Sequence, residues 1–146
     1  MANIGCFVAS VFCPAMNECK NVLIVDDEAA IRMLLCDVVQ RSGFTAIEAA
    51  NGTEAISVAQ DCAQSIEALV SDIVMPGMSG TDLARNLGAA RPDMKVILMS
   101  GYTPQPPAME PGWEFLQKPF SPATLCDKLR RLCGVLPKTN SSAVVR

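Results

Sequence analysis

Short apolar runs alternate along the chain with segments whose apolar residues recur at helical spacing. Five runs have the length of strands, and the first, third and fourth are nearly continuous in apolar residues, which is typical of strands buried on both faces of a sheet. The runs span residues 22–25, 44–49, 68–72, 96–99 and 114–117. The pattern therefore predicts five strands, the second weaker than the others.

The segments that follow these runs are predicted to be helices. After the first run, apolar residues at positions i, i+3, i+4, i+7 and i+8 predict a helix with one buried face, and Gly43 supplies a left-handed stop. The residues of that face are Ile31, Leu34, Leu35, Val38 and Val39. A short helix is predicted after Asn51, and Ser79 and Ser121 stand where two further helices are expected to begin.

The alternation of strands and helices predicts the architecture. Because the connections are short, an α/β fold with a parallel sheet and helices on both faces is favoured. One domain is expected over residues 21–135. Residues 1–20 are interpreted as an N-terminal extension of unknown role, with Met16 as a hypothetical natural start, and residues 136–146 as a polar, disordered tail.

Composition narrows the chemistry that this domain can perform. Its 146 residues are 50% hydrophobic and 18% charged, which is enough for a sizeable core, and the formal net charge is −3. A chain of this charge without a basic stripe is not expected to bind nucleic acid, and no segment approaches the ~20 apolar residues of a membrane span. Because the chain has no histidine, any acid-base or metal chemistry must come from Asp, Lys, Ser or Cys side chains.

The seven cysteines are scattered along the chain and are never spaced as CxxC. Because their number is also odd, the pattern predicts neither a zinc site nor a complete disulfide framework. Thiols without disulfide partners are typical of a reducing compartment, and a cytoplasmic protein is therefore expected.

Polar side chains stand at the carboxyl ends of four of the predicted strands. They are Asp26 and Asp27 after the first strand, Asp72 at the end of the third, Ser100 after the fourth and Lys118 after the fifth. The carboxyl ends of parallel strands lie at one edge of the sheet, where open α/β folds keep their binding sites. The sequence therefore predicts that these side chains meet in one crevice.

Three carboxylates in one crevice repel one another, and they stay ionised when they share a cation. Oxygen ligands without imidazole or thiolate favour Mg²⁺, with Mn²⁺ as the alternative. Magnesium usually keeps several waters, which leaves room for a phosphoryl oxygen. Lys118 and the Ser100 hydroxyl would bind the remaining phosphoryl oxygens, and Asp72 is then the natural nucleophile.

The residues at these strand ends resemble the receiver domain of two-component response regulators. The motifs that carry the resemblance are residues 22–27, Asp72 with Met75-Pro76-Gly77, Ser100-Gly101 and Lys118-Pro119. The resemblance covers residues 21–135, and segments 99–103 and 115–122 are most similar to receivers that are attached to, or serve, hybrid histidine kinases. It implies a flavodoxin-like, doubly wound sheet of five parallel strands in the order 2-1-3-4-5.

The resemblance also implies a phosphoacceptor site that binds Mg²⁺. Asp72 would take a phosphoryl group from the phosphohistidine of a histidine kinase or a histidine phosphotransfer protein. Asp27 would bind the metal directly and Asp26 largely through water, while Asp72 and the backbone carbonyl of Val74 would complete the protein's ligands. Such a domain is a signalling module, and the only catalysis expected of it is its own phosphorylation and dephosphorylation.

A conformational switch is implied as well. Lys118 would pair with Asp72 and then with the phosphoryl oxygens, the Ser100 hydroxyl would move to the phosphoryl group, and Phe115 would turn inward as Ser100 moves. One segment departs from the family pattern: residues 101–117 contain four prolines and cannot form three helical turns. The fourth helix of the family is therefore expected to be degraded here.

Three functions are compatible with these residues. A stand-alone phosphoacceptor that signals by conformational change is favoured. A phosphohydrolase with an aspartyl nucleophile is disfavoured, because such enzymes need an acid two residues after the nucleophile and this chain has Val74 there. A degenerate receiver that binds proteins independently of phosphorylation is the alternative that the altered fourth helix keeps open. Taken singly, the acidic pair could also be a helix N-terminal pair, and Phe115 a core residue.

Overall fold

A computed structural model of the chain describes residues 20–62, 65–101 and 109–134. Within these ranges five strands and four helices follow one another. The elements are β1 (Asn21–Val25), α1 (Ala29–Arg41), β2 (Thr45–Ala49), α2 (Gly52–Asp61), β3 (Ile66–Asp72), α3 (Gly80–Ala90), β4 (Lys95–Ser100), β5 (Trp113–Gln117) and α4 (Pro122–Cys133). The five strands predicted from the apolar runs are confirmed.

The strands form one parallel sheet in the order β2-β1-β3-β4-β5, which confirms the predicted topology. Successive side chains of a strand point to opposite faces, so each strand contributes to two cores. Helices α1 and α4 cover one face, where Val22, Val70 and Leu125 are buried. Helices α2 and α3 cover the other face, where Leu69 and Leu83 are buried. The prediction of helices on both faces is confirmed.

The predicted buried face of α1 is wrong at Leu34, whose exposed fraction is 57%. Leu35 and Val39 are buried as predicted, and Cys36 is buried beside them. At 3.6 residues per turn, Leu34 lies about 100° around the helix from Leu35, on the side away from Cys36. The helix is turned so that Cys36 packs into the core, and Leu34 is left in solvent.

The described residues between β4 and β5 contain no helix, in agreement with the expectation of a degraded fourth helix. Most of that expectation concerns residues 102–108, which lie outside the described residues, as do the tail at 136–146 and all but the last residue of the predicted extension at 1–20. No helix in the described part of the chain is long and apolar enough to cross a membrane. Among the described cysteines, Cys36 and Cys133 are buried, and Cys62 and Cys126 are half-buried; Cys36, Cys126 and Cys133 are free thiols.

The N-caps predicted for two helices are formed as expected. The Ser79 side chain accepts a hydrogen bond from the backbone N–H of Asp82, and the Ser121 side chain accepts one from Thr124. Side-chain caps satisfy backbone donors that have no partner inside the helix. They fix where α3 and α4 begin, close to the carboxyl ends of the strands.

Gly80 allows the first turn of α3 to pack directly on the end of β3. Its backbone N–H donates to the carbonyl of Ile73 at 2.9 Å, and a Cβ added at this position would overlap the carbonyl oxygen of Asp72. We therefore expect Gly80→Ala to lower the free energy of unfolding by about 2 kcal/mol, as overpacking does elsewhere. Urea unfolding followed by circular dichroism measures this change.

Gly88 is the matched control for this prediction, because it lies on the same helix and a Cβ there would meet nothing within 4 Å. Alanine is the better helix former by roughly 0.5–1 kcal/mol, so Gly88→Ala is expected to stabilise the protein. Equal effects of the two substitutions would contradict the close packing of α3 on β3.

Candidate functional site

Three carboxylates meet at the carboxyl edge of the sheet. In the parallel pairing of β1 and β3, Val25 is the partner of Ser71, so the residues that follow, Asp26 and Asp72, come level with each other. One carboxylate oxygen each from Asp26, Asp27 and Asp72 lie within 4.8 Å of one another. The side chain of Asp26 is fully buried and that of Asp72 is 14% exposed, whereas Asp27 faces solvent.

Lys118 brings a positive charge to this cluster from the end of β5, the edge strand of the sheet. It directly follows β5, and its backbone N–H donates to the carbonyl of Ser100 at 2.7 Å, which anchors it beside the end of β4. Its ammonium nitrogen lies 3.3 Å from Oδ2 of Asp26 and 3.5 Å from Oδ2 of Asp72. The side chain is 24% exposed, so the ion pairs are partly shielded from water.

Burial raises the pKa of Asp72 above its ordinary value, because a desolvated carboxylate is less stable than a desolvated carboxylic acid. The Lys118 ammonium opposes this shift and lowers the pKa, the Asp26 carboxylate raises it, and a hydrogen bond from the Val74 backbone lowers it. The net direction is upward. A divalent cation bound beside Asp72 would favour its ionised form and oppose this shift.

The raised pKa predicts a stabilising effect of Asp72→Asn in the absence of Mg²⁺. Above the folded-state pKa the ionised carboxylate costs folding free energy, and below the unfolded-state pKa both states are protonated and the cost disappears. The asparagine variant is expected to unfold a few degrees higher at pH 7 in a chelator. The difference should shrink as the pH falls toward the ordinary aspartate pKa of about 3.9. A variant less stable than the parent at pH 7 would contradict this prediction.

The other predicted site residues lie around the same edge. Ser100 is buried at the end of β4, one residue beyond Met99, which is the register partner of Asp72. Phe115 is partly buried in β5 opposite Leu98. The structure thus brings the three carboxylates and Lys118 close together. It places Ser100 at the end of β4 and Phe115 within β5.

Val74 presents two different groups at this edge. Its backbone N–H hydrogen-bonds to the Asp72 carboxylate, and its side chain is 74% exposed. The role of its carbonyl as a metal ligand stays a prediction. No acidic side chain stands at this position to activate a water, which disfavours a hydrolase.

Two residues that support the site were not predicted. Arg32 donates from Nη1 to the backbone carbonyl of Asp26 at 2.7 Å, and the buried Ser71 donates its hydroxyl to the backbone carbonyl of Asp72 at 2.9 Å. Both hold the main chain of an acidic residue rather than its carboxylate. Only the position of Ser71, directly before Asp72, offered a signal in the sequence.

The donor set fits a hard divalent cation. All three converging side chains offer carboxylate oxygens, and Asp27 and Asp72 remain open to an ion or to water. Neither thiolate nor imidazole is part of the cluster. Mg²⁺ prefers one or two carboxylates and keeps waters for the rest of its shell, so these residues match its requirements, and Mn²⁺ has similar ones.

The fold and this site together define a class of protein: the phosphoacceptor domains of two-component signalling. The family model of the response regulator receiver domain matches residues 22–130, and the chain belongs to that family. Domains of this family are signalling domains, and they act with histidine kinases or histidine phosphotransfer proteins. The resemblance stated from the strand-end motifs is thereby confirmed.

Individual relatives refine the placement within the family. The sensor kinase CckA of Brucella abortus is 37% identical over 115 residues, which are 76% of this chain but only 12% of that kinase. The chemotaxis protein CheY of Thermotoga maritima is 34% identical over 118 residues, which are 77% of this chain and 97% of CheY. The crystal structure of the receiver domain from the hybrid histidine kinase CckA is 32% identical, with a TM-score of 0.69 over 77% of this chain and 98% of that domain.

Proposed function

We propose that this chain accepts a phosphoryl group on Asp72 in a Mg²⁺-dependent reaction and signals by a change of conformation. The observation that carries the proposal is the meeting of three carboxylates with the Lys118 ammonium, 3.3 Å from Asp26 and 3.5 Å from Asp72. The donor is the phosphohistidine of a histidine kinase or a histidine phosphotransfer protein, as is usual for the family. The protein is proposed to act as a stand-alone receiver in the cytoplasm.

The transfer itself forms one bond and breaks one. A carboxylate oxygen of Asp72 attacks the phosphorus, the bond from phosphorus to the donor's imidazole nitrogen breaks, and the imidazole keeps the electron pair. When bound, Mg²⁺ neutralises charge on the transferring oxygens. Asp26, Asp27 and Asp72 would hold that ion, and the carbonyl of Val74 is proposed as a further ligand. Because there is little covalent chemistry for the protein to perform, positioning and charge neutralisation carry the reaction.

Lys118 and Ser100 are proposed to bind the phosphoryl group after transfer. Lys118 already lies within 3.5 Å of the Asp72 carboxylate, from where its ammonium reaches a phosphoryl oxygen on the same residue. Ser100 is buried at the end of the neighbouring strand, and its hydroxyl supplies a hydrogen bond to another oxygen. Hydrogen bonds to charged oxygens are among the stronger ones in proteins.

The phosphoryl group is proposed to change the surface through Ser100 and Phe115. Phosphorylation adds close to two negative charges at neutral pH, which attract the end of β4 through the Ser100 hydroxyl. Phe115 is only partly buried, and it is proposed to turn inward as the end of β4 moves. The downstream partner would recognise the surface altered by this movement.

Two relatives support the proposal that the chain acts with a kinase. The chain corresponds to nearly the whole length of CheY, and its receiver resembles that of a hybrid sensor kinase. Three exposed apolar side chains also give a protein donor a surface to contact: Met33 and Leu34 of α1 and Val74 after β3, at 66%, 57% and 74% exposure.

Incubation with acetyl phosphate tests the proposed function without knowledge of the natural donor. The intact mass of the protein is expected to rise by one phosphoryl group in the presence of Mg²⁺ and to stay unchanged when the metal is chelated. No mass gain, under conditions that label an ordinary receiver, would favour the alternative of a degenerate receiver that binds partners independently of phosphorylation.

A further inference from the structure

Arg32 joins three parts of the structure beside the acidic site. It lies in the first turns of α1, and its Nη1 donates to the backbone carbonyl of Asp26, at the end of β1, at 2.7 Å. Its Nε lies 3.1 Å from a carboxylate oxygen of Glu48 in β2. The Arg32 side chain is only 15% exposed, although its partner Glu48 is 55% exposed. The guanidinium therefore occupies a largely enclosed position at the rim of the site.

The carbonyl that Arg32 binds belongs to the peptide between Asp26 and Asp27. The orientation of this peptide sets the directions in which both side chains leave the backbone, so a hydrogen bond to it acts on two proposed metal ligands together. The backbone N–H of Asp26 is held by Ala49 at a longer distance of 3.4 Å. The hydrogen bond from Arg32 is therefore the shorter of the two described contacts that fix the Asp26 main chain.

The direction of the guanidinium is informative. Unlike Lys118, which contacts two of the carboxylates, Arg32 donates to a backbone carbonyl and leaves the carboxylate oxygens to a metal ion. The Glu48 carboxylate accepts a hydrogen bond from Nε of Arg32 and balances the positive charge of the guanidinium. Arginine can serve both acceptors at once because its donors point in fixed, different directions.

We propose that Arg32, oriented by Glu48, is a positioning residue that sets the Mg²⁺ affinity of the acidic site through the Asp26–Asp27 peptide. The inference rests on the proposed function, since it assumes that the three carboxylates bind Mg²⁺. Outer contacts that orient metal ligands typically change metal affinity by about 10–100-fold when they are removed.

Calorimetric titration of the full chain with Mg²⁺ tests the inference by the sign of the effect. Arg32→Met is expected to weaken binding about tenfold. A role of the charge alone predicts the opposite, because removing a nearby cation should tighten the binding of Mg²⁺. Arg32→Lys separates the two roles further, because it keeps the positive charge but loses the planar guanidinium that serves both acceptors. The positioning role predicts weaker Mg²⁺ binding by this variant, whereas a role of the charge alone predicts an unchanged affinity.

Arg41→Met is the matched control. Arg41 lies on the same helix and pairs with Asp37 at 2.9 Å, but its side chain is 79% exposed and its partner is another residue of the helix. The Arg41→Met substitution removes the same charge as Arg32→Met, and the Mg²⁺ affinity of this variant should equal that of the parent. At saturating Mg²⁺ the Arg32 variants should recover a phosphorylation rate close to that of the parent, because only assembly of the metal ligands is impaired.

Two results would overturn the inference, and they are distinguishable. If the parent binds Mg²⁺ and both Arg32 variants bind it equally well or more tightly, the positioning role is wrong while the proposed function stands. If the parent does not bind Mg²⁺, the metal-dependent function itself fails and the inference fails with it. Arg32→Lys is the variant that keeps the test valid should Arg32→Met not fold.

Discussion

Replacing Asp72 by asparagine is expected to abolish phosphoryl transfer from acetyl phosphate. The amide has the size of the carboxylate but lacks its nucleophilic charge, and burial of this side chain gives water little opportunity to substitute for it. The fold should persist, because asparagine avoids the cost of burying a charge beside Asp26. Intact-protein mass spectrometry in the presence of Mg²⁺ measures the loss directly.

Asp37→Asn is the control for this prediction. Asp37 is a half-exposed aspartate of α1 that pairs with Arg41, and it has no described contact with the site. This variant should gain one phosphoryl group as the parent does. Labelling of the Asp72 variant at the parental rate would mean that a different residue is the acceptor, and Asp27 would be the next candidate because it is the most exposed acid of the cluster.

Replacing Lys118 by alanine is expected to have the second large effect. The ammonium is the only described side-chain cation that contacts the Asp72 carboxylate, so its loss should slow phosphorylation by about 100-fold. The metal-free protein should also lose about 3 kcal/mol of stability, since the fully buried Asp26 side chain would lose its cationic partner. Mg²⁺ should restore part of that stability by supplying the missing positive charge.

Lys128→Ala is the matched control for the lysine prediction. Lys128 also pairs with a carboxylate from the neighbouring strand, Glu114 at 3.0 Å, and is similarly exposed at 21%. Because Arg131 remains beside Glu114 at 2.8 Å, the loss of Lys128 leaves no unpaired charge. We expect a parental phosphorylation rate and a small change in stability. Equal rates for the Lys118 and Lys128 variants would contradict the role given to Lys118.

The acidic site was predictable from sequence because one geometric rule governs it. The carboxyl ends of parallel strands share an edge, so residues that follow different strands are brought together whatever their separation along the chain. Asp26, Asp72 and Lys118 are far apart in sequence. In space, a carboxylate oxygen of each aspartate lies within 3.5 Å of the Lys118 ammonium nitrogen. Strand periodicity and the position of each polar residue were sufficient to place them.

Other features depend on packing that the sequence pattern does not encode. The exposure of Leu34 follows from the rotation of α1 about its own axis. The spacing of apolar residues predicts that rotation only to within one residue on either side of the buried face. The close approach of Gly80 to the Asp72 carbonyl depends on how α3 sits on β3. The contacts of Arg32 depend on three elements at once, so nothing in its local sequence distinguishes it from an ordinary surface arginine.

Mapping the modified residue tests the central claim most directly. The protein is incubated with acetyl phosphate and Mg²⁺ and then reduced with borohydride, which converts an aspartyl phosphate to homoserine, and the peptides are sequenced by mass spectrometry. We expect homoserine at position 72 and aspartate at positions 26 and 27. Homoserine at either of those two positions, or none anywhere in the chain, would contradict the assignment of Asp72 as the phosphoacceptor.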